Sequence, residues 1–149
     1  MSGLTLRLER TLAATPDQVF AACVEPERLG DWWGPAGFTS PEMVLDVRPG
    51  GRYRIAMQPP EGQLFHLRGE FLAVERPTRL SYTFVWEEPD PDDRETVVVL
   101  TFIGTDDGAL TRLEQGEFAT EARYELHRAG WTDGFERLAS HLERRTAPS

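Results

Sequence analysis

The segment Glu121–Arg145, EARYELHRAGWTDGFERLASHLERR, has the period of one long amphipathic helix. Large side chains recur at i, i+4, i+8, i+11 and i+15, a spacing that places them on one helical face: His127, Trp131, Phe135, Leu138 and Leu142. At about 1.5 Å per residue, such a helix is about 37 Å long and can cross a whole sheet. Because an apolar face of that length must be buried, the preceding residues are expected to supply a sheet beneath it.

The residues before this helix predict that sheet. Strand-like runs separated by turn residues give six consecutive strands: Met43–Val47, Arg52–Gln58, Leu64–Val74, Leu80–Trp86, Thr96–Ile103 and Ala109–Gln115. Leu4–Leu12 alternates apolar and polar residues, which predicts a further strand. Thr15-Pro16 then begins one short helix, with Thr15 as its N-cap and Pro16 at its first position. Pro26 begins a second short helix that is expected to end near Gly30.

This order of elements predicts the fold class. We expect an α+β fold with a curved, mostly meandering antiparallel sheet of about seven strands, two short helices and a long C-terminal helix on one face. The length of 149 residues suits a single domain, 1–149, with a core of about 4–145. No interdomain linker and no internal repeat interrupts it.

One strand carries a conflict in its alternation. His66, Arg68 and Glu70 share one face, and the interleaved Phe65, Leu67, Gly69, Phe71 and Ala73 form the apolar face. Leu72 and Val74 have the parity of the polar set. A bulge in this strand, or its end, would resolve the conflict.

Charge and composition exclude several classes of protein. The formal net charge of −9 argues against binding to nucleic acid or to an anionic membrane surface. The single cysteine, Cys23, excludes an intramolecular disulfide and a cysteine-based zinc site. No signal-peptide pattern and no apolar run of about 20 residues is present, so a cytoplasmic protein is expected.

No metal or cofactor site is predicted. The three histidines, His66, His127 and His141, lack the HxxxH and HxH spacings of common metal sites. There is also no nucleophile elbow and no phosphate-binding loop. We therefore predict no catalytic residues and no cofactor.

Three motifs in order point to a known family. They are Asp31-Trp32-Trp33-Gly34-Pro35, Asp46-Val47-Arg48-Pro49-Gly50-Gly51-Arg52-Tyr53 and His127-Arg128-Ala129-Gly130-Trp131. The chain resembles the activator of heat-shock-protein-90 ATPase homologue family, within the START-like superfamily, from about Leu6 to Leu142. The resemblance implies a helix-grip fold with a cavity beneath the terminal helix. It does not fix the function, because this fold hosts many roles.

The aromatic residues predict what the cavity holds. We expect a small hydrophobic molecule, such as a lipid, an aromatic or a polyketide-like compound, in a mostly apolar pocket with a few polar anchors. The expected ligand-binding residues are Trp32, Trp33, Tyr53, Phe65, Tyr82, Phe84, Trp86, Gln115, His127, Trp131 and Phe135. Trp32 and Trp33 could instead plug the core and cap the cavity mouth, and His127 could be a hydrogen-bonded core group with Gln115 as partner.

Gly130 and Gly134 stand one turn apart within the long helix. Each costs about 1 kcal/mol of helix stability relative to alanine. Either a close approach of helix and sheet or room for a ligand would explain them, and the sequence leaves both open.

Two further functions and one quaternary state stay open. A cyclase, dehydratase or hydrolase-type enzyme would need His66 or His127 as general base, facing the pocket with a carboxylate in reach. A co-chaperone-like module could dock through the acidic loop Glu87–Asp93. A homodimer is also open, since no feature of the sequence establishes it.

Overall fold

Seven strands form one antiparallel sheet in the computed structural model, which describes residues 4–146. They are β1 Leu4–Leu12, β2 Met43–Leu45, β3 Arg52–Met57, β4 Phe65–Glu75, β5 Arg79–Trp86, β6 Thr96–Thr105 and β7 Gly108–Phe118. Their spatial order is β1-β7-β6-β5-β4-β3-β2, so the first strand joins the sheet beside the last. The predicted sheet is confirmed, and residues 1–3 and 147–149 of the predicted domain lie outside the described residues.

Three helices cover one face of the sheet: α1 Pro16–Val24, α2 Pro26–Trp32 and α3 Glu121–Thr146. Thr15 caps α1 as predicted, and it forms a capping box with Gln18. The expected end of α2 at Gly30 was wrong, because the helix continues for two residues to Trp32. It stops where Gly34 adopts φ +91° and Pro35 follows.

The conflict in β4 is resolved by a bulge, as proposed. The pairing of β4 with β5 shifts between Phe71 and Ala73, so that Phe71 lies opposite Tyr82 and Val74 lies opposite Leu80. Leu72 falls in the bulge and is 46% exposed, whereas Val74 packs against the core. The bulge therefore changes the inward parity of the strand halfway along its length.

The turn between β2 and β3 is fixed by local contacts. Arg48 Nε donates to both carboxylate oxygens of Asp46, at 3.1 and 2.9 Å, and the two side chains form an ion pair. A Cβ at Gly51 would lie 2.0 Å from the carbonyl oxygen of Asp46, so only glycine fits there. The ion pair is exposed and contributes little stability, and the backbone approach at Gly51 is the stronger constraint.

The core lies between the concave sheet face and the helices. α3 contacts β1, β7, α1 and α2, so it lies across the sheet and also against the two short helices. Leu138 and Leu142 on its inner face are 0% and 1% exposed. The helix-grip architecture is confirmed.

Candidate functional site

A cavity of about 140 Å³ lies between α3, the loop after α2, and β3, β4 and β5. Its wall is almost entirely apolar. It is lined by Trp32, Trp33, Gly34, Pro35, Phe38, Met57, Phe65, Phe84, Trp86, Leu126, His127, Gly130, Trp131 and Gly134. Leu126 is 56% exposed, so this side of the cavity reaches the protein surface.

Gly130 and Gly134 of α3 leave part of the cavity unfilled, because they carry no side chain. A Cβ at Gly130 would meet no atom closer than Cγ of Pro35 at 3.6 Å. A Cβ at Gly134 would first meet the Trp32 ring at 3.7 Å. Both are ordinary van der Waals distances, so no close helix–sheet approach requires glycine. Of the two explanations, the structure favours room within the cavity.

Arg137 holds the loop after α2 against α3. Its Nη1 donates to the carbonyl oxygens of Trp33, Gly34 and Pro35 at 2.9 to 3.0 Å. A helix leaves its last carbonyls without partners, and a cation there interacts favourably with the helix dipole. Asp133 adds a contact of 3.3 Å from Oδ2 to the backbone N–H of Ala36. One wall of the cavity is thereby fixed to α3.

The Arg137 contacts form one clamp between α3 and the end of α2, and a second clamp lies further along α3. His141 Nδ1 lies 2.7 Å from Oδ2 of Asp31, and the same oxygen accepts a hydrogen bond from Arg144 at 2.7 Å. These two partners hold the pKa of Asp31 below its usual range. His141 is buried behind Asp31 and does not line the cavity.

His127 is the one titratable side chain among the described residues that line the cavity. Its ring packs against Phe84, Trp86 and Phe118, with centroids 4.8 to 5.9 Å apart. Burial, and secondarily the charge of Arg123, lowers the pKa of His127 to about 4. The imidazole is therefore neutral at neutral pH, and it makes no hydrogen bond within the described chain. A neutral imidazole can donate one hydrogen bond and accept another.

Gln115 is not the partner of His127. Its Oε1 accepts a hydrogen bond from Trp131 Nε1 at 2.7 Å, and its Nε2 donates to Thr96 Oγ1 at 2.9 Å. All of these atoms are buried, so the amide is satisfied within the core. Gln115 orients the Trp131 indole and does not line the cavity itself.

A second, inner cavity of about 20 Å³ lies behind the first. Trp32 and Trp33 line both spaces. The remaining lining residues of the inner cavity are Cys23, Leu29, Leu45, Tyr53, Ile55, Phe71, Tyr82 and Leu100. Tyr53 donates its hydroxyl to the Thr83 carbonyl at 2.6 Å, and it passes so close to Gly69 that a Cβ there would lie 2.6 Å from its ring.

The eleven sequence-predicted residues fall into three groups. Seven line the outer cavity: Trp32, Trp33, Phe65, Phe84, Trp86, His127 and Trp131. Tyr53 and Tyr82 line the inner cavity, while Gln115 and Phe135 are core residues that line neither. Sequence reasoning missed the loop residues Pro35 and Phe38, because their contribution depends on how the loop folds back.

His66 lies on the other face of β4, away from the cavity. Its Nδ1 lies 3.1 Å from Glu88 Oε2, and Glu87 accepts two hydrogen bonds of 2.8 Å from Arg54. Ligand atoms of His66, Glu87 and Glu88 lie within 4.8 Å of one another, a spacing compatible with a metal ion. The guanidinium of Arg54 already neutralises Glu87 and would repel a cation there.

Ion pairs with α3 hold the acidic loop between β5 and β6 against the domain. Arg123 of α3 pairs with Asp90, Asp92 and Asp93, and Thr120 donates to Asp92 Oδ2 at 2.9 Å. With Glu87 and Glu88 also paired, every carboxylate between residues 87 and 93 has an internal partner. Docking through this loop would have to displace those partners.

Family comparison agrees with this architecture. Residues 13–143 match the family model described as Activator of Hsp90 ATPase homolog 1-like protein. The chain belongs to this family. No match was found among curated proteins.

Among the described residues, no helix has the length and apolarity needed to cross a membrane.

Similar proteins of known structure share the fold over almost their whole length. The AHSA1 protein from Silicibacter pomeroyi is 31% identical, with a TM-score of 0.83 over 95% of this chain and 99% of its own. A protein from Chromobacterium violaceum is 27% identical, with a TM-score of 0.82 over 93% and 96%. A protein from Nitrosomonas europaea is 26% identical, with a TM-score of 0.82 over 99% and 100%.

Proposed function

We propose that the protein binds one small, uncharged hydrophobic molecule in the outer cavity, with His127 as its polar contact. The observation that carries this proposal is an apolar cavity of about 140 Å³ bordered by two helical glycines that no steric contact requires. Each glycine weakens α3 by about 1 kcal/mol. A fold that only needed a solid core would be more stable with alanine at both positions.

The volume limits the size of the ligand. Pockets for drug-sized molecules are typically about 300–1,000 Å³. An engineered apolar cavity of about 150 Å³ holds one benzene molecule. At about 140 Å³, the outer cavity as it stands matches a single six-membered ring.

The wall limits the charge of the ligand. None of the described residues that line the cavity is charged at neutral pH, since the pKa of His127 is about 4. An unpaired carboxylate or ammonium would lose its hydration there without compensation. Ligands with one hydroxyl or carbonyl are favoured, because His127 can serve either as donor or as acceptor.

Binding is better supported than catalysis. A general base on this fold would need an imidazole that faces the cavity and has a carboxylate in reach. His127 faces the cavity without a carboxylate partner, and His66 has Glu88 but lies on the opposite face of the sheet. None of the three described histidines meets both conditions, since His141 has Asp31 in reach but does not line the cavity.

The proposal is tested by filling the cavity from α3. The double variant Gly130→Ala/Gly134→Ala adds two methyl groups to the cavity wall, and titration calorimetry with 4-methylphenol measures the result. We expect the affinity to fall about fivefold or more, since filling a cavity removes ligand contacts. Chemical denaturation should show an unfolding free energy that rises by up to about 1 kcal/mol per glycine.

Gly30→Ala is the matched control. Gly30 is also helical, a Cβ there would meet only Met43 Cε at 4.0 Å, and it lines neither cavity. This variant should gain stability and keep its affinity. An absence of 4-methylphenol binding in the wild type, or equal affinity in the double variant, would contradict the proposal.

A further inference from the structure

The outer and inner cavities share a wall made by two adjacent tryptophans, Trp32 and Trp33. The two side chains are held differently. Trp32 is 1% exposed and donates its indole N–H to the Ala22 carbonyl at 2.9 Å. Trp33 is 6% exposed, yet its indole N–H is buried without any hydrogen-bond acceptor.

The Trp33 backbone is held by hydrogen bonds, but no hydrogen bond fixes its indole ring. Its ring lies edge-to-face with Trp32 at 5.7 Å and with Trp131 at 5.3 Å between centroids. It follows the last residue of α2, so its ring is at the junction of helix and loop. A buried donor without an acceptor is unfavourable, and a rotation that gives Trp33 an acceptor would relieve that cost.

The inner cavity also carries an unused polar group. Tyr82 is 6% exposed and makes no hydrogen bond through its hydroxyl with any described residue. Burial raises the pKa of Tyr82 well above its ordinary value, so the hydroxyl stays protonated and can donate. Tyr53 beside it is already bonded to the Thr83 carbonyl. Tyr82 is therefore the polar group that remains available at the inner end.

The unpaired groups of Tyr82 and Trp33 are the hydrogen-bonding groups that the inner space offers to a guest. At about 20 Å³ it has room for about one water molecule. A buried water needs two to four polar partners, and the two unpaired groups reach only the lower limit, because the rest of the inner wall is largely apolar, including Leu29, Ile55 and Leu100. A ligand oxygen attached to an apolar body fits this wall better.

We propose that the Trp33 indole is a movable partition, and that its displacement opens an inner subsite in which the Tyr82 hydroxyl binds the polar end of an elongated, uncharged aromatic ligand. This inference rests on the proposed function, and it adds a second ligand class. One-ring molecules occupy the outer cavity alone, whereas two-ring molecules with a terminal hydroxyl or carbonyl extend past Trp33.

The experiment compares 4-methylphenol with 4-hydroxybiphenyl on three proteins: the wild type, Tyr82→Phe and Tyr124→Phe. The Tyr82→Phe substitution removes an unbonded hydroxyl, so the variant should fold. It should bind 4-hydroxybiphenyl about fivefold more weakly and bind 4-methylphenol as the wild type does. Tyr124 lines neither cavity, so Tyr124→Phe is the matched control and should leave both affinities unchanged.

Cys23 gives a direct readout of the inner subsite. It lines the inner cavity and not the outer one, so modification by methyl methanethiosulfonate reports access there. Each probe is added at about ten times its own dissociation constant, which gives equal global stabilisation by mass action. We expect 4-hydroxybiphenyl to slow the labelling of Cys23 several-fold more than 4-methylphenol does.

The outcomes separate the two proposals. If neither phenol binds the wild type, the proposed function fails and this inference fails with it. If 4-methylphenol binds but 4-hydroxybiphenyl does not, or if Tyr82→Phe and Cys23 labelling fail to distinguish the probes, only the partition is overturned. Weaker 4-hydroxybiphenyl binding in Tyr82→Phe together with selective protection of Cys23 supports it.

Discussion

The two halves of α3 follow one apolar stripe but meet the sheet differently. In the C-terminal part, which we call the packed half, Leu138 and Leu142 are buried in the core with 0% and 1% exposure. In the N-terminal part of α3, which we call the open half, His127 and Trp131 border a cavity. Gly130 and Gly134 carry no side chains that would fill it. The period of a helix therefore predicts which face is inside. Whether the space in front of that face is filled depends on side-chain volume.

The largest expected effect lies in the packed half. Leu138→Ala should lower the free energy of unfolding by about 3 kcal/mol, because it leaves a new void in a core that cannot collapse around it. Leu126→Ala in the open half should change it by no more than about 0.5 kcal/mol, since that side chain is 56% exposed. Urea denaturation measures both. Equal losses for the two variants would remove the distinction between the halves.

The next effect is a pH dependence carried by His127. The pKa is about 4 in the folded protein and about 6.5 as the unperturbed value. Between these values the unfolded chain binds more protons, so stability falls as the pH drops through this window. Replacing His127 with Phe should remove this contribution, which amounts to about 2 kcal/mol at pH 5.

The measurement is urea denaturation of wild type and His127→Phe at several values between pH 7 and pH 4. The difference in unfolding free energy should shift in favour of the variant as the pH falls. Leu126→Ala is the control, since it changes no titratable group and its curve should stay parallel to that of the wild type. A constant difference for His127→Phe would show that the imidazole is not held neutral by the open half.

A smaller effect is expected from the clamp by which Arg137 holds the loop after α2 against α3. Arg137→Met keeps most of the apolar stem and removes the hydrogen bonds to the Trp33, Gly34 and Pro35 carbonyls. It should cost about 1.5 kcal/mol, because hydrogen bonds from a charged donor are among the stronger ones. It should also weaken 4-methylphenol binding, since the loop is one wall of the cavity.

Arg128→Met is the control for this clamp. Arg128 is exposed on α3, so its replacement should change neither stability nor affinity appreciably. Loss of stability without any loss of affinity in Arg137→Met would show that the clamp serves the fold alone.

Much of the fold could be predicted because local chemistry and global fold agree. The alternation of β1, the N-cap at Thr15 and the stripe of α3 each reflect periodicity or a short-range hydrogen bond. The bulge at Leu72 was detectable as a break in alternation. The end of α2 was not, because Gly30 is tolerated inside the helix and Gly34 with Pro35 supplies the true stop.

The candidate site was predictable as a set of aromatic residues but not as a geometry. The sequence predicted Phe84, Trp86 and His127 among the residues that line the cavity, and all three border it. Parity does not reveal hydrogen-bond partners, so the bond of Gln115 to Trp131 was not foreseen. Arg137 was unremarkable in sequence because its partners are backbone carbonyls about a hundred residues away, and such partners leave no mark on the pattern of side chains.

The attachment of the loop to α3 does not depend on the side chains of the loop, because the partners of Arg137 are backbone carbonyls. Arg137 donates hydrogen bonds to backbone carbonyl oxygens, and every amino acid has such an oxygen. Side chains at the neighbouring lining positions, such as Phe38, can therefore be exchanged while the anchoring bonds persist. Substitutions at these positions can therefore change the shape of the cavity without loss of the hydrogen bonds that hold the loop against α3.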